Sequence, residues 1–383
     1  MLVIKNLGAI SDLKINLNRF VVLVGENQSG KSLIIKTVAL VKAIYNKMCY
    51  SKFLEVKGIH YDLSALLRNF ELDDFWREDT VIEFFVKNKS VIKLENKLSK
   101  KTGFAPKIFF NYDNLEEEAI FGETAIINDF RQSLPELLKI NKNLPFLMDE
   151  LATNFRKAVD EFGNFKFSSL DLKLYKQKGA FFNEYILEGK NYKARLNHSS
   201  SSEKNISVME LICDYFAKKY DFSESVKKAV GEAITSGADF TKFEAIAKKL
   251  ENNKVKTFLN LFIEEPGSNL FPAQQKKIVF YLASLLQAKN KPDIIISTHS
   301  PYVLTLLNNL LFAGELYAGK KVDKSKLENI IPQKYALNLN EFNAYLIKNG
   351  EAIDIIEDGL INADVIDEAS TQIMDEFSAL VDL

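Results

Sequence analysis

Residues 20–40 read FVVLVGENQSGKSLIIKTVAL. Phe20 to Val24 is a continuous apolar run, the pattern of a strand buried on both faces. The next residues are small or polar, and from Lys31 to Lys47 apolar positions return with the period of a helix. A buried strand, a glycine-flanked loop and a helix in that order constrain the fold to α/β, because the strand must lie inside a sheet covered on both sides.

The loop, Gly25-Glu26-Asn27-Gln28-Ser29-Gly30-Lys31-Ser32, matches GxxxxGK[ST]. Glycines let backbone N–H groups curl round a phosphate, and the helix that follows adds its positive end. Lys31 is expected to reach the β- and γ-phosphates of ATP and Ser32 to ligate Mg²⁺. The expected nucleotide contacts are Glu26, Asn27, Gln28, Ser29, Gly30, Lys31, Ser32 and Leu33.

Two further strand ends carry chemistry. FLNLFIEE (258–265) is an apolar run that closes on two carboxylates. Read alone, such a pair is a surface feature; with the phosphate loop upstream, Glu264 is assigned to the metal and Glu265 to polarising the attacking water. IIISTHSP (294–301) ends a second buried run in His299, one of only three histidines. A neutral imidazole there could meet the γ-phosphate or the attacking water. The spacing of acids and histidine suits one nucleotide site.

Composition excludes several classes. Lys and Arg (50) nearly balance Asp and Glu (51), for a net charge of -1 over 383 residues, so no global basic field announces nucleic acid. From Glu351 to Leu383 there are ten acidic residues and no Lys or Arg, interleaved with apolar residues at helical spacing, which reads as a solvated helical face. The two cysteines, Cys49 and Cys213, form no CxxC or zinc spacing, and MLVIKNLGAI is no signal peptide. Ile294 to Gly314 lacks charge but is rich in polar residues near its start, and reads as a strand, turn and helix rather than a membrane span. A cytoplasmic protein without membrane contact is expected.

Along the chain, alternation predicts a strand pair before residue 20 turning at Gly8, a hairpin at 80–95 turning near Asn88, and strands over 166–196. Residues 114–162 predict two or three helices, about 205–219 one helix, and 222–255 are charged and helical; FNAYLIKNG and EAIDIIED read as a final strand pair. The expected division is an N-terminal ATPase lobe with the phosphate loop (1–113), a helical insertion (114–165) and a C-terminal ATPase lobe (166–383) with a further helical insertion near 220–255.

The set GENQSGKS, FIEEPGSNLFPAQQ and IIISTHSPYVL, with the opening LVIKNLGAISDLKINL, resembles the ABC-type ATPase heads of the RecF, SMC and OLD group. It looks most like the stand-alone AAA-15/AAA-21 ATPases of bacterial anti-phage systems. The resemblance implies an α/β P-loop NTPase of ABC-ATPase head type, with a mixed central sheet, an antiparallel β subdomain and helical insertions. It implies a homodimer or higher homo-oligomer in which a serine-rich signature loop contacts the ATP of the opposite subunit. The matching residues are Ser200, Ser201 and Ser202, in SSSSEK (199–204). Ser202 stands where the family has glycine and Lys204 where it has glutamine, which puts fast hydrolysis in doubt. The family's Q-loop glutamine has no clear counterpart. Nothing after His299 resembles the Toprim nuclease domain of OLD proteins, so a separate effector protein is expected. The leading expectation is an ATP-binding and hydrolysing switch in anti-phage defence. The alternatives are a RecF-like repair ATPase that binds DNA directly, and a slowly hydrolysing ATP-dependent scaffold.

Overall fold

The computed structural model describes residues 1–53, 61–99, 103–115, 119–138, 144–179, 183–223, 226, 231, 255–319 and 322–362. Strands β1 (Leu2–Leu7) and β2 (Ile10–Ile15) pair antiparallel around Gly8, as their alternation predicts. β3 (Phe20–Val24) is buried along its whole length and leads into helix α1 (Lys31–Phe53). After helix α2 (Leu63–Asn69), strands β4 (Trp76–Val86), β5 (Lys89–Ser99) and β6 (Gly103–Phe110) extend β1 into a five-stranded antiparallel sheet. The β4–β5 turn uses Lys87 and Asn88, both at positive φ, the geometry a two-residue hairpin needs.

β7 (Ala119–Ile127) comes next, then helices α3 (Leu134–Leu137) and α4 (Phe146–Phe162). Strands β8 (Asn164–Lys166), β9 (Lys173–Lys178), β10 (Asn183–Glu188) and β11 (Lys193–Arg195) form a small sheet of order β11-β10-β9-β8 ahead of helix α5 (Ser201–Asp214). The last third supplies β12 (Val255–Glu264), α6 (Pro272–Leu285), β13 (Asp293–Thr298), α7 (Pro301–Ala318) and α8 (Lys324–Ile330). It closes with β14 (Phe342–Lys348), β15 (Glu351–Asp354) and the short pair β16 (Ile356–Glu357) and β17 (Leu360–Ile361).

The central sheet has the order β15-β14-β3-β13-β12-β7. All its pairings are parallel except β14–β15. Side chains alternate between two cores, as burial on both faces requires. Phe20, Val22 and Val24 of β3 join α4, α5, α6 and α7 on one side, while Val21 and Leu23 join α1, β1 and β4 on the other. The α/β class, the mixed sheet and the antiparallel subdomain are therefore as expected.

One expectation fails. Residues 114–162 are not helical throughout, because β7 is the edge strand of the central sheet, parallel to β12. The Leu, Glu and Lys of the flanking residues masked a short strand. Its Gly122 accommodates the Phe258 ring of β12, which an added Cβ would meet at 2.0 Å. The helix expected over 205–219 starts at Ser201 and finishes in a π-turn at Tyr215–Lys219. Nearly all of the insertion expected near 220–255, and the acidic segment beyond residue 362, lie outside the described residues. Among the described residues no helix is long and apolar enough to cross a membrane.

Helix α7 lies close enough to the loop before β14 that a Cβ on Gly314 would fall 1.9 Å from the Leu337 carbonyl oxygen. Backbone cannot move aside as a side-chain tip can. Gly314→Ala is expected to lower stability by roughly 3 kcal/mol, read as a lower urea midpoint.

Candidate active site

Parallel pairing aligns the strand ends. Thr298 of β13 lies opposite Val24 of β3, Glu264 of β12 opposite Ser297, and Ile127 of β7 opposite Ile263. The phosphate loop, both acids, the histidine and the loop after β7 therefore leave the sheet along one edge, where α/β sheets bind ligands.

The loop from Gly25 to Ser32 has the shape its sequence predicts. Gly25, Gln28 and Gly30 have φ of 152°, 67° and 104°. At Gly25 a Cβ would stand 2.6 Å from the Ile347 carbonyl of β14 and 2.9 Å from Ser29 Oγ, so only glycine fits. Glu26, Asn27 and Gln28 are exposed. Lys31 is buried, and its Nζ donates to the Gly25 and Glu26 carbonyls at 2.7 Å each. Burial pushes its pKa down, while Glu265, Glu26 and Glu264 act to raise it. The Leu33 side chain packs into the core, so a nucleotide would meet only its backbone.

Glu264 is 6% exposed, and its Oε1 has no hydrogen-bond partner; nor has the buried Ser29 Oγ. Burial pushes the Glu264 carboxyl above its ordinary range, partly offset by hydrogen bonding from the Ser32 hydroxyl. A hydroxyl and a carboxylate with an orphaned oxygen, facing each other beside a phosphate loop, fit a Mg²⁺ that keeps water and takes its remaining ligands from phosphate. Among the described residues no cluster of three or more His, Cys, Asp or Glu could hold a metal unaided.

Glu265 and His299 meet directly, with His299 Nδ1 2.9 Å from Glu265 Oε2. Nδ1–H must donate to the carboxylate. In the neutral ring, Nε2 is then an acceptor that suits a water, and only the doubly protonated ring could donate to a phosphate oxygen. Of the two partners proposed for His299, the pairing favours water. Glu265 sits at φ 45°, a left-handed conformation that costs a non-glycine residue about 1–2 kcal/mol. Three contacts hold it there. Its N–H donates to the Ser297 carbonyl at 3.0 Å and lies 3.4 Å from Ser297 Oγ, and its carbonyl accepts from Arg131 Nη2 at 2.6 Å.

Arg131 escaped the sequence reading. It is fully buried and donates to the Asn128 carbonyl at 2.9 Å, to the Ile127 carbonyl at 3.3 Å and to Asn205 Oδ1. Among the described residues its one ion pair is to the exposed Asp129, at 3.5 Å. Asn205, on α5, donates in turn to the Ser268 carbonyl at 2.8 Å. The guanidinium thus ties the end of β7, the first turns of α5 and the turn that carries Glu265. Asn128 was also missed; it is 2% exposed, with both amide atoms unpartnered at the same strand edge.

Ser200, Ser201 and Ser202 are placed apart from this constellation. Ser200 caps α5 in a reciprocal box with Glu203 and lies 3.0 Å from Ser202 Oγ. Among the described residues none of the three makes a hydrogen bond to the phosphate loop, Glu264, Glu265 or His299. Lys204 pairs with Glu136 of α3 at 2.9 Å.

The model of the family described as AAA ATPase domain (AAA_15) matches residues 239–304, the span that carries Glu264, Glu265 and His299. No curated protein matches the sequence. Among solved structures, the chain is similar to an SMC head bound to the C-winged helix domain of ScpA, at 11% identity over 93% of this chain and 97% of that one, with a TM-score of 0.41. It is also similar to the SMC head domain from Thermotoga maritima, at 13% identity over 93% and 98%, with a TM-score of 0.36. A third similarity is to an ATP-binding cassette in a dimeric, post-hydrolysis state bound to ADP and Pi, at 10% identity over 92% and 96%, with a TM-score of 0.31. The ATPase-domain match, joined to the phosphate loop between β3 and α1, makes this chain an ATPase of α/β fold.

Two outcomes follow for the nucleotide-free protein. Removing the Arg131 guanidinium takes a donor from Asn205 Oδ1 and from three carbonyls, of Ile127, Asn128 and Glu265, so Arg131→Ala is expected to cost roughly 3–5 kcal/mol by urea unfolding, and Arg131→Lys to recover only part. Glu264 holds its proton more tightly folded than unfolded, so its stabilising contribution is lost as pH rises through the folded pKa. Glu264→Gln should therefore raise Tm at about pH 7.5, and the gain should vanish below roughly pH 4, where both states are protonated.

Proposed function

We propose that the chain is an ATP-driven switch in which two copies close around two ATP molecules and part when hydrolysis occurs. The observation that carries this reading is a site that is complete on one side only. Lys31, Ser32, Glu264 and the Glu265–His299 pair share one sheet edge, while among the described residues the serine-rich helix start makes no hydrogen bond to any of them. The exposed N-terminus of α5, with Ser200, Ser201 and Ser202, is suited to the γ-phosphate held by a second copy.

Each residue has a role. Backbone N–H groups of Glu26 to Ser32 would cradle the phosphates, and Lys31 would leave the Gly25 and Glu26 carbonyls to neutralise them. Ser32 and Glu264 are the residues that would hold Mg²⁺, which when bound supplies charge neutralisation across the β- and γ-phosphates. Glu265 takes a proton from the attacking water as its oxygen bonds to the γ-phosphorus and the bond to the β,γ-bridging oxygen breaks, leaving ADP and phosphate. His299 Nδ1–H holds that carboxylate, and Arg131 fixes its backbone. Separation of the copies would release or activate a partner effector; that clause, and a role in anti-phage defence, rest on the family resemblance.

The Lys204–Glu136 pair favours one variant of this reading. A lysine held against α3 is not free to act at a phosphate, which supports slow hydrolysis and a long-lived closed state.

The test combines binding, turnover and size. Lys31→Ala should lose ATP binding. Glu265→Gln should keep it, lose roughly 10²- to 10⁴-fold in turnover, and elute as a dimer in Mg-ATP but not in ADP. Equal hydrolysis by wild type and Glu265→Gln would remove Glu265 from the mechanism, and a monomer in Mg-ATP would remove the switch. A stoichiometric protein captured from native cells by Glu265→Gln, and absent with Lys31→Ala, is the expected effector. Nuclease-sensitive DNA in its place would make the chain a DNA clamp.

A further inference from the structure

A cavity of about 380 Å³ opens between α1, α2, β7 and α4. Its lining on α1 begins at Ala39, eight residues beyond Lys31, which is about 12 Å along the helix axis from the phosphate loop. The volume is that of a small-molecule site. The floor is fixed: Asn46 of α1 donates to the Gly122 carbonyl and accepts from its N–H, both at 2.9 Å, so helix and edge strand are pinned together beneath the space. Aromatic rings supply the walls. Phe70 and Phe146 meet with centroids 5.7 Å apart, and Phe258 lies across Gly122.

One charge in this cavity has no ion-pair partner in direct contact among the described residues. Lys42 Nζ lies 5.4 Å from the Phe258 ring centroid and 5.9 Å from that of Phe84, yet makes no hydrogen bond or ion pair among the described residues. Burial lowers its pKa, and Asp293 acts on it only from beyond ion-pair contact. The acids of the lining are engaged elsewhere. Asp62 caps α2 through the Ala65 N–H, Glu123 accepts from the Tyr220 hydroxyl at 2.8 Å, and Glu150 has a partner of its own. A half-buried ammonium over aromatic faces, without an acceptor among the described residues, is a site for an anion. A single unpaired cation with carboxylates nearby suits one negative charge and disfavours a phosphate dianion.

We propose that this cavity binds a small aromatic monocarboxylate, its ring among Phe70, Phe146 and Phe258 and its carboxylate paired with Lys42. The probe is 2-naphthoate, titrated calorimetrically into the full chain without nucleotide, so the outcome does not depend on the ATPase reading. Wild type should bind one equivalent. Lys42→Met, which keeps length and removes charge, should weaken binding about tenfold or more, as loss of a partly desolvated ion pair implies. Neutral 2-naphthamide should bind both proteins alike. If Lys42→Met does not fold, Ala65→Phe decides, because it fills the space and should abolish binding. Absence of saturable binding by wild type, undiminished affinity in Lys42→Met, or undiminished affinity in Ala65→Phe would overturn the proposal.

Discussion

Backbone hydrogen bonding between parallel strands is the constraint on which the site depends. No side chain selects which residues share the catalytic edge; the register does. Because Thr298 pairs with Val24 and Glu264 with Ser297, a phosphate loop, two carboxylates and a histidine from three distant parts of the sequence leave the sheet together. A slip of one residue in β12 would turn Glu264 to the opposite face and exchange the positions of the two acids. Large apolar residues on both faces of β3, β12 and β13 hold that register, since any slip would reverse what each core receives.

What the sequence could reveal divides along the same line. The strand–loop–helix at residues 20–53 was legible because every signal in it is local: apolar run, glycines at fixed offsets, helical period. The acids and the histidine were legible because strands that end in polar residues are rare inside such runs. Arg131 was not. NDFRQ reads as an ordinary polar turn, and nothing local says that its guanidinium is roofed by α5 and reaches the turn after β12. Asn128 was hidden for the same reason. The edge strand β7 was lost because strand and helix periods cannot be told apart in a short segment flanked by strong helix formers. The cavity near Lys42 was beyond reach altogether, since its walls come from five elements and an α1 lysine carries no mark of lacking a partner.

Glu265, the acid proposed to act on water, is held at both its backbone and its carboxylate. Its left-handed backbone is fixed by Ser297 on one side and by Arg131 on the other, while His299 fixes the carboxylate. Arg131 also grips Asn205, four residues past the start of α5. A shift of that helix, such as closure against a second copy would impose, acts on the backbone of Glu265 through two hydrogen bonds. Were the proposed closure to move α5, its effect on Glu265 would need no long pathway.

The position of β3 has a consequence for how the protein is made. Its two neighbours in the sheet are β13 and β14, both drawn from the last quarter of the chain, and the Ile347 carbonyl closes over Gly25. Gly350 packs against the Ala9–Ser11 turn and accepts from the Ser11 N–H at 3.0 Å. The phosphate loop is synthesised well before β14, yet its contact at Gly25 comes from Ile347 of that strand. Contacts of such sequence separation form slowly. A chain that stops short of β14 therefore carries the nucleotide motif without the strand and carbonyl that flank it in the folded protein.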